Sequence, residues 1–133
     1  MTKVHHGRGY VYSIQYHFVW CVKYRHDILI GKVDDDLKTF LHRISDESGV
    51  NIIEMETGRD HIHMLVDCKP QHTITNLIKS FKGTSARYLF RQHPDLKDKL
   101  WNGHLWNPSY FVATVSDNSE QQIREYIQSQ KKK

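Results

Sequence analysis

The chain has 133 residues, 38% hydrophobic and 26% charged, the balance of a soluble globular protein of one domain (residues 1–133, core about 10–130). Nothing in it has the apolar length to span a bilayer, the polar start (Thr2, Lys3, His5, His6, Arg8) lacks the core of a secretory signal, and a cytoplasmic location without membrane contact is expected. The formal charge of +4 suits a polyanionic partner without requiring one, and Cys21 and Cys68 lack Cys-x-x-Cys spacing, which argues against a zinc ribbon and for reduced, packed thiols.

Residues 10–22 alternate, with Tyr10, Tyr12, Ile14, Tyr16, Phe18, Trp20 and Val22 on one side and Ser13, Gln15 and His17 on the other. The pattern predicts one long strand with a packed face. A basic cluster interleaved with an aromatic ring follows, Lys23, Tyr24, Arg25 and His26; its cations can meet a polyanion or merely solvate a turn. Asp34, Asp35 and Asp36 offer caps and negative charge to a helix start, Leu37, Phe40, Leu41 and Ile44 recur at helical spacing, and Gly49 is a stop. Residues 50–56 read as a second strand, Gly58, Arg59 and Asp60 as a turn, and residues 61–68 as a third strand closing a hairpin.

After Pro70 an amphipathic helix is expected over about 73–92, with Ile74, Leu77, Ile78, Phe81, Tyr88 and Leu89 inward and Pro94 as its end. Lys79, Lys82 and Arg87 lie on this helix and add to its basic character. Residues 96–108 read as irregular; Trp101 and Trp106 there can stack on unpaired bases or cover the core. Residues 110–115 form the fourth expected strand. Ser119, with Gln122 in the capping-box position, starts a last helix carrying Ile123, Tyr126, Ile127 and Gln130. The order is α+β, a ferredoxin-like βαββαβ antiparallel sheet with both main helices on one face and a C-terminal helix besides. In that topology the first and third strands are central.

The chemistry concentrates in Asp60-His61-Ile62-His63-Met64-Leu65-Val66. Side chains alternate along a strand, so His61 and His63 share a face while Ile62, Met64 and Val66 take the other. Two imidazoles so placed can grip one metal ion from a rigid sheet. Near the C-terminus, Tyr126 and Gln130 are four apart and share a helix face.

Five segments in order resemble one family. They are Val19-Trp20-Cys21-Val22-Lys23-Tyr24-Arg25, Asp60-His61-Ile62-His63-Met64, Ile78-Lys79-Ser80-Phe81-Lys82-Gly83, Leu105-Trp106-Asn107-Pro108-Ser109-Tyr110-Phe111 and Tyr126-Ile127-Gln128-Ser129-Gln130. The chain resembles the TnpA-type transposases of very small bacterial and archaeal insertion sequences, single-tyrosine members of the H-U-H nucleases. The resemblance implies cleavage and rejoining of single-stranded DNA at hairpin-bearing element ends, without ATP, by a homodimer in which the tyrosine helix can serve the partner's histidines.

It further implies Tyr126 as the nucleophile that becomes a 5′-phosphotyrosine, and Gln130 as a third ligand beside His61 and His63 for Mg2+ or Mn2+. Mixed nitrogen and oxygen donors accept manganese readily and magnesium less tightly. A free phenol is only about one part in a thousand ionised at neutral pH, so such a site must assist proton loss. Lys23, Tyr24, Arg25, Lys79, Lys82, Arg87 and Trp106 are the expected DNA contacts. Two other readings stand beside this one: a domesticated, hairpin-nicking relative, and a non-catalytic nucleic-acid-binding domain with Tyr12 and Tyr16 as stacking platforms.

Overall fold

The computed structural model describes residues 4–100, 103–115 and 120–129. In chain order the elements are β1 (His5–Gly7), β2 (Tyr10–Tyr12), β3 (Ile14–Cys21), α1 (Gly31–Ser48), β4 (Asn51–Thr57), β5 (His61–Cys68), α2 (Ile74–Lys79), α3 (Ser85–Gln92), α4 (Leu96–Lys99), β6 (Phe111–Thr114) and α5 (Glu120–Ser129). The main sheet runs β4-β5-β3-β6 with every neighbouring pair antiparallel. This is the expected ferredoxin-like order, with β3 and β5 in the middle.

Strand alternation decides what each face receives. Phe18, Trp20, Ile62, Met64 and Val66 join Leu37, Leu41, Ile44, Leu77, Ile78, Phe81 and Leu89 from the helices in the main core. The other face carries His17, His61, His63 and Leu65, and α5 lies across it. There Leu65, Val115 and Ile127 make a second, much smaller core with Ile53 against it. Ile52 faces the main core and Ile53 the small one, as strand alternation requires, and a register shift between Ile52 and Glu54 then brings Glu54 opposite Leu65.

Two expectations about the first strand and the first helix need correction. The long strand over residues 10–22 is two strands, because Tyr10–Tyr12 pairs with His5–Gly7 in a separate hairpin and the sheet strand begins at Ile14. The alternation continues through the break, so pattern alone does not reveal it. The three aspartates do not cap α1, which starts earlier with Ile30 in the cap position and no side-chain cap bond. Instead Thr57 Oγ1 donates to the buried Asp34 at 2.7 Å, tying α1 to β4. Asp36 accepts from Lys32 within α1 at 2.8 Å and from His93 at 2.7 Å, the second bond tying α1 to the end of α3. Those two hydrogen bonds, Lys32 first, hold the Asp36 carboxyl below its ordinary range.

The helix expected over 73–92 exists, but a π turn over Ser80–Thr84 divides it into α2 and α3. Thr73 Oγ1 caps its start by accepting from Asn76 N at 3.2 Å. Gly49 ends α1 in the left-handed region, φ 74°, as its lack of a Cβ allows. The segment read as irregular contains α4 and then extends the edge of β3: Lys23 N donates to Leu105 O and Asn107 N to Cys21 O, each at 2.9 Å. Among the described residues no helix is long and apolar enough to cross a membrane.

Candidate active site

His61 and His63 project from β5 to the face opposite the main core, with ring centroids 5.2 Å apart and planes near perpendicular, 84°. Strand period two puts them there, and the Gly58 turn before them makes room. A Cβ built on Gly58 would lie 2.2 Å from His61 Cε1, so the imidazole occupies the space a side chain would need. His61 Nδ1 donates to Asp60 Oδ1 at 2.7 Å, and Arg25 Nε donates to Asp60 Oδ2 at 2.7 Å. Burial raises the Asp60 pKa, but the hydrogen bonds from Arg25 and His61 outweigh it and hold the carboxyl below its ordinary range.

His63 is 5% exposed. Burial first, then the neighbouring His61 and His17, push its pKa down to about 4, so its ring is neutral at physiological pH. His17 Nε2 lies 3.3 Å from His63 Nδ1. Burial likewise lowers the pKa of His17. On α5, seated by Ile127, the half-exposed Tyr126 meets the His63 ring edge-on at 5.3 Å. Tyr126 therefore stands beside the histidines of its own chain. His17, Val19, His63, Phe111, Gln122 and Tyr126 line an open cleft of about 460 Å³.

Two imidazoles on one sheet face, 5.2 Å apart, are a donor set whose chemistry suits a divalent cation. Asp60 engages His61 Nδ1, which leaves Nε2 of that ring for a cation, and His63 Nδ1 lies against His17 Nε2 on the same face. The pair is not a complete ligand set. Among the described residues no group of three or more His, Cys, Asp or Glu side chains could hold a metal. Gln130, the expected third ligand, lies outside the described residues, as do Trp101 and Ser119.

The residues expected at DNA divide. Lys79 and Arg87 are exposed. Lys23 sets its ammonium 5.2 Å over the Tyr24 ring, which is 58% exposed. Tyr24 and Arg25 both have left-handed backbones, φ 59° and 57°, a strained turn for residues with side chains. Arg25 gives Nε to Asp60 while its side chain stays 61% exposed, so the rest of the guanidinium faces solvent. Lys82 Nζ donates to the carbonyls of Asn107 and Ser109, at 2.6 and 3.2 Å, and burial lowers its pKa. Trp106 is corrected from base-stacker to core residue. It is 6% exposed, packs edge-on to Trp20 at 5.9 Å and donates from Nε1 to Ser85 Oγ at 3.1 Å. Lys23, Lys82, Trp106 and Phe90 nonetheless line one cleft of about 330 Å³.

Sequence reasoning passed over His17, Gly58 and the Arg25–Asp60 pair. Gly58 and Asp60 lie within three residues of His61 and are visible there; His17 and Arg25 are distant in sequence and leave no local signal.

The sequence profile of a family described as "Transposase IS200 like" matches residues 10–130. The chain is 52% identical over 124 residues to the ISDra2 transposase TnpA of Deinococcus radiodurans, covering 93% of this chain and 89% of that protein. It is 33% identical over 119 residues to the transposase for insertion sequence element IS200 of Salmonella typhimurium, covering 90% and 78%. A crystal structure of a candidate transposase from Deinococcus radiodurans R1 superposes with TM-score 0.80 at 43% identity, over 97% of this chain and 99% of that one. A REP-associated tyrosine transposase bound to a REP hairpin shares the fold, with TM-score 0.66 at 11% identity, over 92% and 69%.

Proposed function

The chain belongs to the IS200-like transposase family, and from that membership we propose that it cleaves and rejoins single-stranded DNA at insertion-sequence ends through Tyr126. The observation that carries the proposal is the seat of Tyr126: a half-exposed phenol, edge-on to His63, over the sheet face that also presents His61. The substrate is single-stranded DNA folded into hairpins, taken by a homodimer. Exposed Lys79 and Arg87 and the cleft of Lys23 and Lys82 supply cations for its phosphates.

In the cleavage step the Tyr126 hydroxyl oxygen attacks phosphorus and the bond to the 3′-oxygen breaks. The strand's 5′ phosphate becomes an ester of the phenol, and the phenolic proton is balanced by the proton the 3′-oxygen gains as it leaves as a hydroxyl. No bond energy is lost to water, so an incoming 3′-hydroxyl can reverse the step and join a different strand without ATP. His61, His63 and Gln130 would hold a divalent cation, Mg2+ or Mn2+, which supplies positive charge at the scissile phosphate. Ile127 docks α5 on the small core and so sets the reach of the phenol. Asp60 and Arg25 hold His61 in place.

A non-catalytic binding domain with Tyr12 and Tyr16 as platforms fits less well, since Tyr16 packs against the main core and α5 crosses the opposite sheet face. The test is a labelled hairpin oligonucleotide incubated with Mn2+ or Mg2+ and run on a denaturing gel. A protein–DNA adduct is expected with single-stranded but not duplex ends, and Tyr126→Phe should form none. His61→Ala should lose cleavage and keep DNA binding. An adduct formed by Tyr126→Phe removes the tyrosine from its role.

A further inference from the structure

His63 is the more buried of the paired histidines, and its ring meets a third imidazole. His17, on the neighbouring central strand, is diagonal to it, since Val19 faces His63 and His17 faces Leu65. The two rings lie 5.5 Å apart and 20° from parallel, with His17 Nε2 3.3 Å from His63 Nδ1. His17 is 7% exposed and also meets the Tyr126 ring edge-on at 6.4 Å. It thus touches both a candidate ligand and the candidate nucleophile.

A neutral imidazole carries one proton on one of two nitrogens, and only the bare nitrogen binds a cation. For His61 the choice is made by Asp60, a carboxylate that can only accept, so the proton sits on Nδ1. His63 has no carboxylate partner for Nδ1 among the described residues; it has His17. Where His17 Nε2 accepts from His63 Nδ1–H, the His63 Nε2 lone pair is free. In the opposite arrangement His17 Nε2–H donates, and the His63 proton moves to Nε2, where it blocks a cation.

We propose that His17 is a positioning residue that accepts the Nδ1 proton of His63 and so reserves the His63 Nε2 lone pair for the metal. This rests on the metal-dependent reading above, but its first test does not need metal. Long-range proton–nitrogen NMR on the metal-free protein reports the tautomer of each histidine. His63 is expected as Nδ1–H, and an Nε2–H signal in the wild type overturns the assignment outright.

The second test uses Mn2+ alone as the probe. His17→Phe keeps a flat ring and removes the acceptor, and should weaken Mn2+ binding by about tenfold or more. His17→Gln can return an amide oxygen near the lost nitrogen and should recover most of that loss. Wild-type Mn2+ affinity in a folded His17→Phe protein overturns the proposal. Should the Phe variant not fold, the wild-type tautomer and the Gln variant decide. A wild type that shows His63 as Nδ1–H yet binds no Mn2+ defeats the metal reading and overturns the reservation for a metal with it. An Nε2–H signal in a protein that binds Mn2+ defeats the role of His17 alone.

Discussion

At position 58 the absence of a side chain is what admits the His61 ring, whose Cε1 would stand 2.2 Å from an added Cβ. Gly58→Ala forces the imidazole aside and strains its bond to Asp60. The ring is partly solvated, with its side chain 22% exposed, so it can swing outward at little cost to the fold. The expected outcome is a thermal midpoint close to wild type and strand cleavage reduced on the order of a hundredfold, as small misplacements at a reacting centre produce. The two cysteines differ just as locally. Burial, reinforced by the Asp67 charge, pushes the Cys68 thiol up to about 12. With 2% exposure it should resist iodoacetamide in the native protein, while the partly exposed Cys21 reacts. Mass spectrometry after native and denatured labelling checks this.

Among the helices packed on the sheet, α5 rests on a far smaller core than those of the opposite face. The helices on the other face share a core of many buried side chains, whereas α5 is seated through Ile127 against Leu65 and Val115, with an outlying Arg124–Glu54 contact at 3.6 Å. Such a seat opens at lower free energy than the sheet beneath it. Amide exchange should therefore be faster in α5 than in β5. Ile127→Ala removes the main anchor, a truncation that costs roughly 2–4 kcal/mol when fully expressed. A seat this small should let the helix undock alone, so most of that cost is expected as faster α5 exchange and loss of adduct formation, with only a small shift in the main unfolding transition. An equal loss across all elements would show that α5 unfolds with the rest.

Across the whole molecule, the neutral histidines between sheet and α5 link stability to pH. In the folded chain His63 titrates at about 4, against 6.5 for the free side chain, and His17 is lowered in the same direction. Between those values the unfolded chain binds more protons, so stability is fully present above pH 6.5 and falls as pH drops towards 4. For His63 the loss amounts to at most about 3 kcal/mol. Urea unfolding in the presence of a chelator should show it between pH 7 and 4.5, and a flat profile there would mean the rings are not buried neutral.

Element positions were legible along the chain because period, glycine and proline act between neighbours. The β5 strand, the Gly49 stop and the Thr73–Gln92 helical stretch follow from residues within a few positions of one another, as does the shared face of His61 and His63. Tyr126 was singled out by resemblance, since its spacing alone is also that of an ordinary amphipathic helix. The tertiary structure alone decided that His17 is a buried neighbour of His63, that Arg25 serves Asp60, that Asp34 and Asp36 tie α1 to its neighbours, and that Trp106 belongs to the core. Those outcomes depend on partners 20 to 60 residues away in sequence. A hydrogen bond or a packed ring is fixed by where two distant segments meet, and a one-dimensional pattern holds no record of that meeting.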